Sequence, residues 1–587
     1  MDAAAGPRSN VAAVREAVHP KVLIIGGGIN GVGTFRELAL QGVDVTLVER
    51  GDYASGASSA SSHMIHGGIR YLENGEFRLV REAVYERNGL LKIAPHYVKP
   101  LETTIPIFRT FSGIVHAPMR FLTHKQTSTV ERGAILIKLG LMIYDSFSRD
   151  GGTVPRHRFH GRRKSLEQLP QLNKDVKYTA TYFDASVHEP ERLALDVLGD
   201  ALSTGPHARA ANYLEAVSVH DGAVRLRDMV TGDEFEIVPD LIINTSGPWT
   251  DLTNEALGEQ TRYMGGTKGS HIVLHHPALL AACAGRELFF ENSDGRIVLI
   301  YPLRGKVMVG TTDLDADIRE PIRCTEEEID YFIDLVGHVF PDIKIDRSQI
   351  VYRFSGVRPL PRHEDTQPGF VSRDYRIVPS KPRGLNGKTV LSLVGGKWTT
   401  FRAVAEHLAN EALAHIGWQR TVSTYGMAIG GGKDYPRSDS ARYEWIVAHA
   451  GVLPAPRVAR LLARYGTKAT DVIAYLEQQG DDALEGTDEF SAQEVRHMAE
   501  AEQVVRLQDV LLRRSSSAFD GLATAQVIDE VARVLAGALQ WDEARLRTEV
   551  ADCRQVMTEV HGVQLEPSGL LSSDGGPTAS APRSGRR

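Results

Sequence analysis

Apolar and polar positions alternate most tellingly near the start of the chain. "KVLIIGGGINGVGTFRELALQGVDVTLVER", Lys21 to Arg50, opens on the apolar run Val22 to Ile25 and passes three consecutive glycines. Val32, Phe35, Leu38 and Ala39 then recur at helical spacing, Gly42 ends that pattern, and a second apolar run covers Val43 to Val48. The stretch predicts strand, glycine turn, helix, strand. A strand running into glycine returns twice, in "DLIINTSGPWTD" at Asp240 to Asp251 and in "LSLVGGKWTTFRAVAEHLANEAL" at Leu391 to Leu413. A nucleotide domain assembled from non-adjacent pieces is the expectation, with intervening segments building a second domain. "IGGGKDYP", Ile429 to Pro436, is different: Lys433, Asp434 and Pro436 follow its glycines instead of an apolar helix, so it reads as a linker. Beyond it, "ARLLARYGTKATDVIAYLEQ", "AEAEQVVRLQDVLLRR" and "AQVIDEVARVLAGALQW" all place apolar residues three and four apart, which predicts a helical domain.

Composition narrows the class. A chain of 587 residues exceeds what one core usually supports, so two or three domains are expected. The longest apolar candidate, "AILIKLGLMIY" at Ala134 to Tyr144, contains Lys138 and is about half of the roughly 20 residues a membrane span needs. The first eighteen residues lack an apolar signal core and read as a loose tail, an expectation that keeps the protein cytoplasmic. Cys283, Cys324 and Cys553 are widely separated and odd in number, which argues against a disulfide framework and a cysteine-based metal site. A net charge of −7 leaves no footprint for nucleic acid, so any anionic ligand must meet locally clustered cations.

Gly26, Gly28 and Gly31 form G-x-G-x-x-G at the strand-to-helix junction, the pattern that lets backbone approach a pyrophosphate at a helix N-terminus. Glu49 ends the second strand, where an acidic residue accepts hydrogen bonds from an adenosine ribose. The second strand leads directly into "GDYASGASSASSHMIHGGIRY" and not into a second mononucleotide half, which favours FAD over NAD. Small and hydroxyl side chains from Ser55 to Ser62, Ser59 and Ser62 among them, would line the cofactor, and His66, Gly67 and Gly68 would bring backbone close to its ring.

"SSHMIHGGIRYLE", "NTSGPWTD", "GTKGSHIV", "GTTD", "SGVRPL", "SRDY" and "GGKWTTFR", in that order, resemble the FAD-dependent glycerol-3-phosphate dehydrogenases, with "LQDVLLRR" resembling that family's C-terminal segment. The likeness runs from about residue 20 to about 560. It implies oxidation of sn-glycerol 3-phosphate to dihydroxyacetone phosphate, with FAD taking the hydride and a membrane quinone, ubiquinone or menaquinone, reoxidising it. The implied fold is α/β: a discontinuous FAD-binding Rossmann-like domain (19–100, 187–265, 370–415), a mixed-sheet substrate domain (101–186, 266–369), a linker (416–436) and a C-terminal all-helical domain (437–565), between a flexible tail (1–18) and a disordered one (566–587). Val217, Gly247 and Gly396 complete the expected cofactor contacts.

A phosphate dianion bearing a secondary alcohol calls for fixed cations and a base. Arg70, Arg358, Arg373 and Lys397 are the candidate cations, and Tyr71 and Thr400 candidate donors to the phosphate. His271 is the favoured base because an unperturbed imidazole is partly neutral at working pH, with Arg358 or Lys397 left to hold a developing alkoxide. "RHRFHGRRK", Arg156 to Lys164, carries five fixed positive charges and, with "HAPMRFLTHK" and "AILIKLGLMIY", is the candidate face for peripheral contact with the inner side of the cell membrane. No calcium-binding D-x-D-x-D-G loop occurs, which departs from mitochondrial members and fits a bacterial type with no metal. A homodimer is compatible with this reading. The rivals are a glycerol-3-phosphate oxidase using oxygen and a non-catalytic flavin-binding regulatory protein.

Overall fold

The computed structural model describes residues 8–68, 77–108, 137–138, 140–142, 144–145, 155–292, 296–362 and 374–567. Among them, one sheet has six strands in the order Arg376–Ser380, Thr389–Val394, Leu241–Asn244, Val22–Ile25, Val45–Val48, Ala208–Ala211. All neighbours run parallel except the outermost pair, Arg376–Ser380 with Thr389–Val394. The two central strands are buried on both faces, which is why they read as uninterrupted Val, Leu and Ile rather than as an alternation. Helices Ile29–Leu40, Pro190–Leu202 and Phe401–Ile416 cover one face, and Gly33 lets the first approach the third: a Cβ there would stand 3.1 Å from that of Ala405. The three strand-then-glycine junctions thus end side by side at one edge of a single sheet, where such folds bind ligands.

Residues 8–18 do not form the loose tail expected of them. Ser9–Glu16 is a helix whose Val11 and Val14 are buried against Leu23, Ala211 and Leu226, and Arg8 donates to the Asn212 carbonyl (2.8 Å) and pairs with Asp228 (3.3 Å). Two valines three apart suffice to bury one face of a two-turn helix when a partner surface waits for it.

A second, mixed sheet of ten strands forms the other layer. Its centre for function is Thr267–Leu274, buried along its whole length between the antiparallel strands Ile350–Arg358 and Lys306–Gly310. The apolar run from 134 to 144 turns inward where it is described: Leu141 and Tyr144 pack with Val80, Val84, Ile107 and Tyr182. Leu141 and Tyr144 are therefore spent on the core, while Met142 stays exposed, as do Arg156, Arg158, Arg162, Arg163 and Lys164. "HAPMRFLTHK" lies outside the described residues. Among these, no helix is long and apolar enough to cross a membrane.

The C-terminal helices form their own core around Val458, Leu461, Met498 and Val531. The expected linker meets this unit as a packed seam. Gly430–Gly432 is a 3-10 turn in which Cβ atoms on Gly431 and Gly432 would fall 1.9 Å from the Tyr465 carbonyl oxygen and 2.3 Å from that of Ile93. The glycines are there because backbone touches backbone. The strongest tie is ionic: Asp52, fully buried after the second strand of the first unit, receives Arg513 and Arg514 from the helical unit and the Asn212 amide (2.9 Å). Arg514 and Arg513 hold the carboxyl near pH 2 against a large burial penalty. Because removing one partner strands the others in a dry site, Asp52→Asn is expected to cost about 3–5 kcal/mol in urea unfolding, whereas breaking an exposed pair such as Lys21–Asp240 should leave the urea midpoint almost unchanged.

Candidate active site

Two cavities meet beneath the loop 55–68. The larger, about 450 Å³, runs along the ends of the parallel strands and is lined by Gly26, Gly28, Glu49, Ser55, Ser58, Gly247 and Gly396, with Leu214 to Ala216 on one wall. Helix Ile29–Leu40 points its N-terminus into this cleft; its N-cap, Gly28, has no side chain to close it, and Ser58 Oγ reaches only as far as the Ile29 N–H. The turn before it is closed by contact: a Cβ on Gly31 would lie 1.8 Å from the Gly26 carbonyl oxygen, and Gly26 itself sits at φ 110°. Glu49 accepts hydrogen bonds from the N–H groups of Gly27 (2.7 Å) and Gly51 (2.8 Å), and its burial raises the carboxyl pKa. The buried Asn30 Oδ1 has no protein partner at the mouth of the turn, and a Cβ on Gly396 would stand 2.8 Å from the same amide. A helix start whose N-cap is glycine, an orphaned amide oxygen and a cradle that one methyl would fill fit a bound dinucleotide.

The smaller cavity, about 260 Å³, opens beside it and is lined by Ser62, His66, His271, Arg358, Lys397 and Trp398 among others. The second sheet delivers two of these. His271 stands opposite Phe354 and Gly310; its ring stacks on Phe354 at 4.8 Å, and a Cβ on Gly310 would fall 2.1 Å from the imidazole. Its Nε2 is 2.8 Å from Ser62 Oγ, so the loop serine and the strand histidine share a proton across the boundary between domains. Burial first, then Arg358 and His63, push the His271 pKa down to about 3, leaving a neutral imidazole at working pH. Arg358 donates to Thr311 Oγ1 (3.0 Å) and to the Thr312 carbonyl (3.1 Å) and pairs with Asp313. The first sheet delivers Lys397 and Trp398, whose indole N–H donates to the Ser58 carbonyl at 2.9 Å while Ser58 Oγ accepts from Ile29 N–H at 3.0 Å.

Several expected residues take other positions. Gly67 is behind the cavity wall, its N–H donating to Asp184 (3.0 Å). Gly31 makes the turn without lining the cleft, and Val217 falls at the bulge between Ala216 and Ser218, beside the wall rather than on it. Ser59 faces a third cavity, on the far side of the loop. Thr400 is withdrawn as the buried residue that starts helix Phe401–Ile416, and Thr399 lines the small cavity in its place, its hydroxyl donating to the His66 carbonyl (3.2 Å). Arg70, Tyr71 and Arg373 lie outside the described residues. Sequence reasoning missed Asp313, Thr311, Asn30 and Trp398; "GTTD" and "GGKWTT" were noticed as motifs, but nothing local says which of their residues face inward.

A family model described as FAD dependent oxidoreductase matches residues 21–410, and one described as the C-terminal domain of alpha-glycerophosphate oxidase matches 391–546. A glycerol-3-phosphate dehydrogenase of Synechocystis sp. is 34% identical over 527 residues, 85% of this chain and 88% of that protein. The chain belongs to the FAD-dependent glycerol-3-phosphate dehydrogenase family. FAD is its cofactor, and the residues of the large cleft are suited to hold it. Membership spans related substrates: the D-erythritol 1-phosphate dehydrogenase of Brucella abortus is 32% identical over 513 residues (84% and 93%), and the human mitochondrial glycerol-3-phosphate dehydrogenase 28% over 570 (91% and 73%). The glycerol-3-phosphate dehydrogenase of Bacillus halodurans, solved with FAD, shares the fold with a TM-score of 0.71 at 23% identity over 93% of this chain and 97% of that one.

A low pKa for His271 has a direct readout. The unfolded chain binds this proton near pH 6.5 and the native one only near 3, so the group favours unfolding as pH falls through that interval. In the native protein the His271 Cε1–H resonance, assigned by its loss in His271→Gln, is expected to stay fixed between pH 8 and pH 5; a midpoint near 6.5 would show the ring to be solvated.

Proposed function

We propose that the protein oxidises sn-glycerol 3-phosphate to dihydroxyacetone phosphate and passes the electrons to a membrane quinone, ubiquinone or menaquinone. Bound FAD supplies the hydride acceptor. The observation that carries the reading is the small cavity in which Arg358, Lys397 and His271 converge against the FAD cleft. Arg358 and Lys397 offer the phosphate dianion two cations in a partly dry site, where charge-assisted hydrogen bonds are strongest. Arg70, Tyr71 and Arg373 are assigned to the same phosphate on motif alone. His271, neutral and held by Ser62, takes the hydroxyl proton. Its basicity is weak beside Arg358, whose charge Asp313 offsets only in part, and rises when the dianion offsets the remainder, which couples proton removal to the presence of a phosphate.

The exposed Arg156 to Lys164 stretch is the surface we assign to anionic headgroups at the cytoplasmic face of the membrane, as a peripheral contact. The match of residues 391–546 to an oxidase domain favours a second reading, the same half-reaction with oxygen as acceptor. The Brucella relative makes D-erythritol 1-phosphate the substrate to set against glycerol 3-phosphate.

Anaerobic titration of the holoenzyme separates these. Glycerol 3-phosphate is expected to bleach the flavin near roughly 450 nm at lower concentration than D-erythritol 1-phosphate, and glycerol not at all, since the phosphate contributes charge-assisted contacts worth several kcal/mol. Quinone analogue should restore the colour faster than oxygen; the reverse order would select the oxidase. Lys397→Met is expected to raise KM by about 10- to 100-fold, and His271→Gln to lower kcat by about 10²–10⁴ with KM little changed. Bleaching by D-erythritol 1-phosphate alone would move the substrate assignment to the longer polyol phosphate.

A further inference from the structure

One face of the ten-stranded sheet lines the small cavity. Directly paired residues share a face, and pairing carries this one across four strands, from His271 through Gly310 and Leu299 to Phe289. Two strands further along it reaches Tyr182, paired through Thr103 with Glu287, and Asp184 two residues on. Among the residues of this sheet that line the cavity, polar side chains stand at both ends of the row, His271 and Asp313 at one, Tyr182 and Asp184 at the other, with Phe289 and Leu299 between. Only five residues of loop separate the ends: Ser62 Oγ meets His271 (2.8 Å), and the Gly67 N–H meets Asp184 (3.0 Å).

Asp184 is fully buried, and its two oxygens are used unequally. Oδ1 accepts from the Gly67 N–H, from Arg87 (2.7 Å) and from the Tyr144 hydroxyl (2.5 Å). Oδ2 is just as buried and has no donor in the protein. Arg87, itself without exposed surface, balances the charge but spends its hydrogen bond on the other oxygen. Glu287 shares the face without lining the cavity; it accepts from Thr103 (3.0 Å), and burial raises its carboxyl to about 8, so it brings no second charge. A bare carboxylate oxygen in a dry wall is costly unless something that enters the cavity donates to it. The lining therefore suits a ligand with negative charge at the Arg358 and Lys397 end, C–H surface in the middle and a hydrogen-bond donor at the Asp184 end. A second anionic group there would meet Asp184 as a like charge, and an apolar end would leave Oδ2 unsatisfied.

We propose that Asp184 is a specificity-determining residue: its Oδ2 accepts a hydrogen bond from the substrate hydroxyl on the carbon beyond the one oxidised, while the phosphate lies at the Arg358 and Lys397 end. The inference rests on the polyol-phosphate reading above and turns it into a rule for substrates, which must carry a phosphate, a secondary alcohol and a donor on the next carbon. Polyol phosphates of three carbons or more meet that rule. A phosphorylated hydroxy acid, with a carboxylate in that place, does not. Through Oδ1 the same carboxylate holds the Gly67 N–H, so one buried group positions both the substrate and the turn His66–Gly68 beside it.

Anaerobic bleaching of the holoenzyme flavin by two analogues tests the contact. Replacing the far hydroxyl of sn-glycerol 3-phosphate by hydrogen, which gives a propane-1,2-diol phosphate of the same hand, or by fluorine removes the donor and keeps the phosphate and the secondary alcohol. Each analogue is expected to need roughly 10- to 100-fold higher concentration than the parent, the loss that goes with one hydrogen bond to a charged group. Equal bleaching by the deoxy analogue overturns the proposal, and so does a fluoro analogue as good as the parent, since fluorine accepts but cannot donate. Asp184→Asn keeps an oxygen for Gly67, Arg87 and Tyr144 and turns an amide toward the cavity. In this variant the parent is expected to fall to within about threefold of the deoxy analogue, which itself stays at its wild-type level; a merely structural role would weaken all three compounds alike. Comparing variant with wild type cancels any intrinsic difference in reactivity, and bleaching by the deoxy analogue reports that the variant folds. Where the single variant loses FAD, Asp184→Asn with Arg87→Gln, which removes both buried charges together, replaces it. A folded variant that keeps the wild-type preference sinks the assignment. The two readings fail separately: no bleaching by glycerol 3-phosphate or D-erythritol 1-phosphate removes the substrate class and this contact with it, while bleaching by glycerol 3-phosphate without preference over the deoxy analogue removes only the role of Asp184.

Discussion

Asp52 is the constraint on which the rest hangs. A carboxylate with no exposed surface is tolerable only if its charge is met at once, and here Arg513 and Arg514 come from a unit more than 450 residues along the chain. The requirement fixes where the helical unit docks. It also fixes the loop that begins one residue later: the Tyr53 hydroxyl donates to Gln503 (2.8 Å), Ala54 N–H to the Gly27 carbonyl (3.0 Å), and a Cβ on Gly356 would stand 2.4 Å from that of Ala60. Pinned at three points, the loop arrives at Ser62 within hydrogen-bond distance of His271. The pairing of nucleotide domain and substrate sheet thus rests on an ion cluster that neither of them completes alone.

The same economy of charge governs the site. Arg358 serves as a cation although Asp313 already neutralises much of it, and its residual field helps hold His271 neutral. Behind Thr311 to Asp313 a chain of contacts keeps the pairing in place: Thr312 donates to Glu328 (2.6 Å), which also takes Lys268 (2.8 Å). Groups that never reach the cavity therefore set the strength of the ones that do. In the proposed reaction, a phosphate entering beside Arg358 competes with Asp313, so discrimination against an uncharged polyol is built into the ion pair and not only into the shape of the pocket.

What was legible from the chain alone follows from the range of the forces involved. The first unit was read correctly in type because its strands, its glycine turn and its helix are each specified by neighbours within four residues. The cofactor followed from those glycines and the loop after them. His271, Arg358 and Lys397 were reached by likeness to a family, since no local pattern marks a strand histidine as facing a cavity. Gly310 and Asp313 were out of reach for the same reason: they matter through strands about 40 residues away, paired in a register that only the fold sets. Thr400 was off by one place because a helix start cannot be located to a single residue from spacing. The tail was misjudged because Val11 and Val14 become a buried face only when the Leu23 and Ala211 surface exists.

The composition of the loop 55–62 then has two masters. Serine, glycine and alanine were read as residues that let backbone approach a cofactor, and on the inner side they do so. On the outer side the same small residues make the thin wall of the third cavity, and Gly56 is pressed against the indole of Trp249, which lines both spaces, a Cβ on it falling 2.9 Å away. Larger side chains on either face would thicken the wall and separate the two spaces. Small residues on both faces keep the loop a thin partition between the two cavities, and the ion cluster at Asp52 holds that partition still.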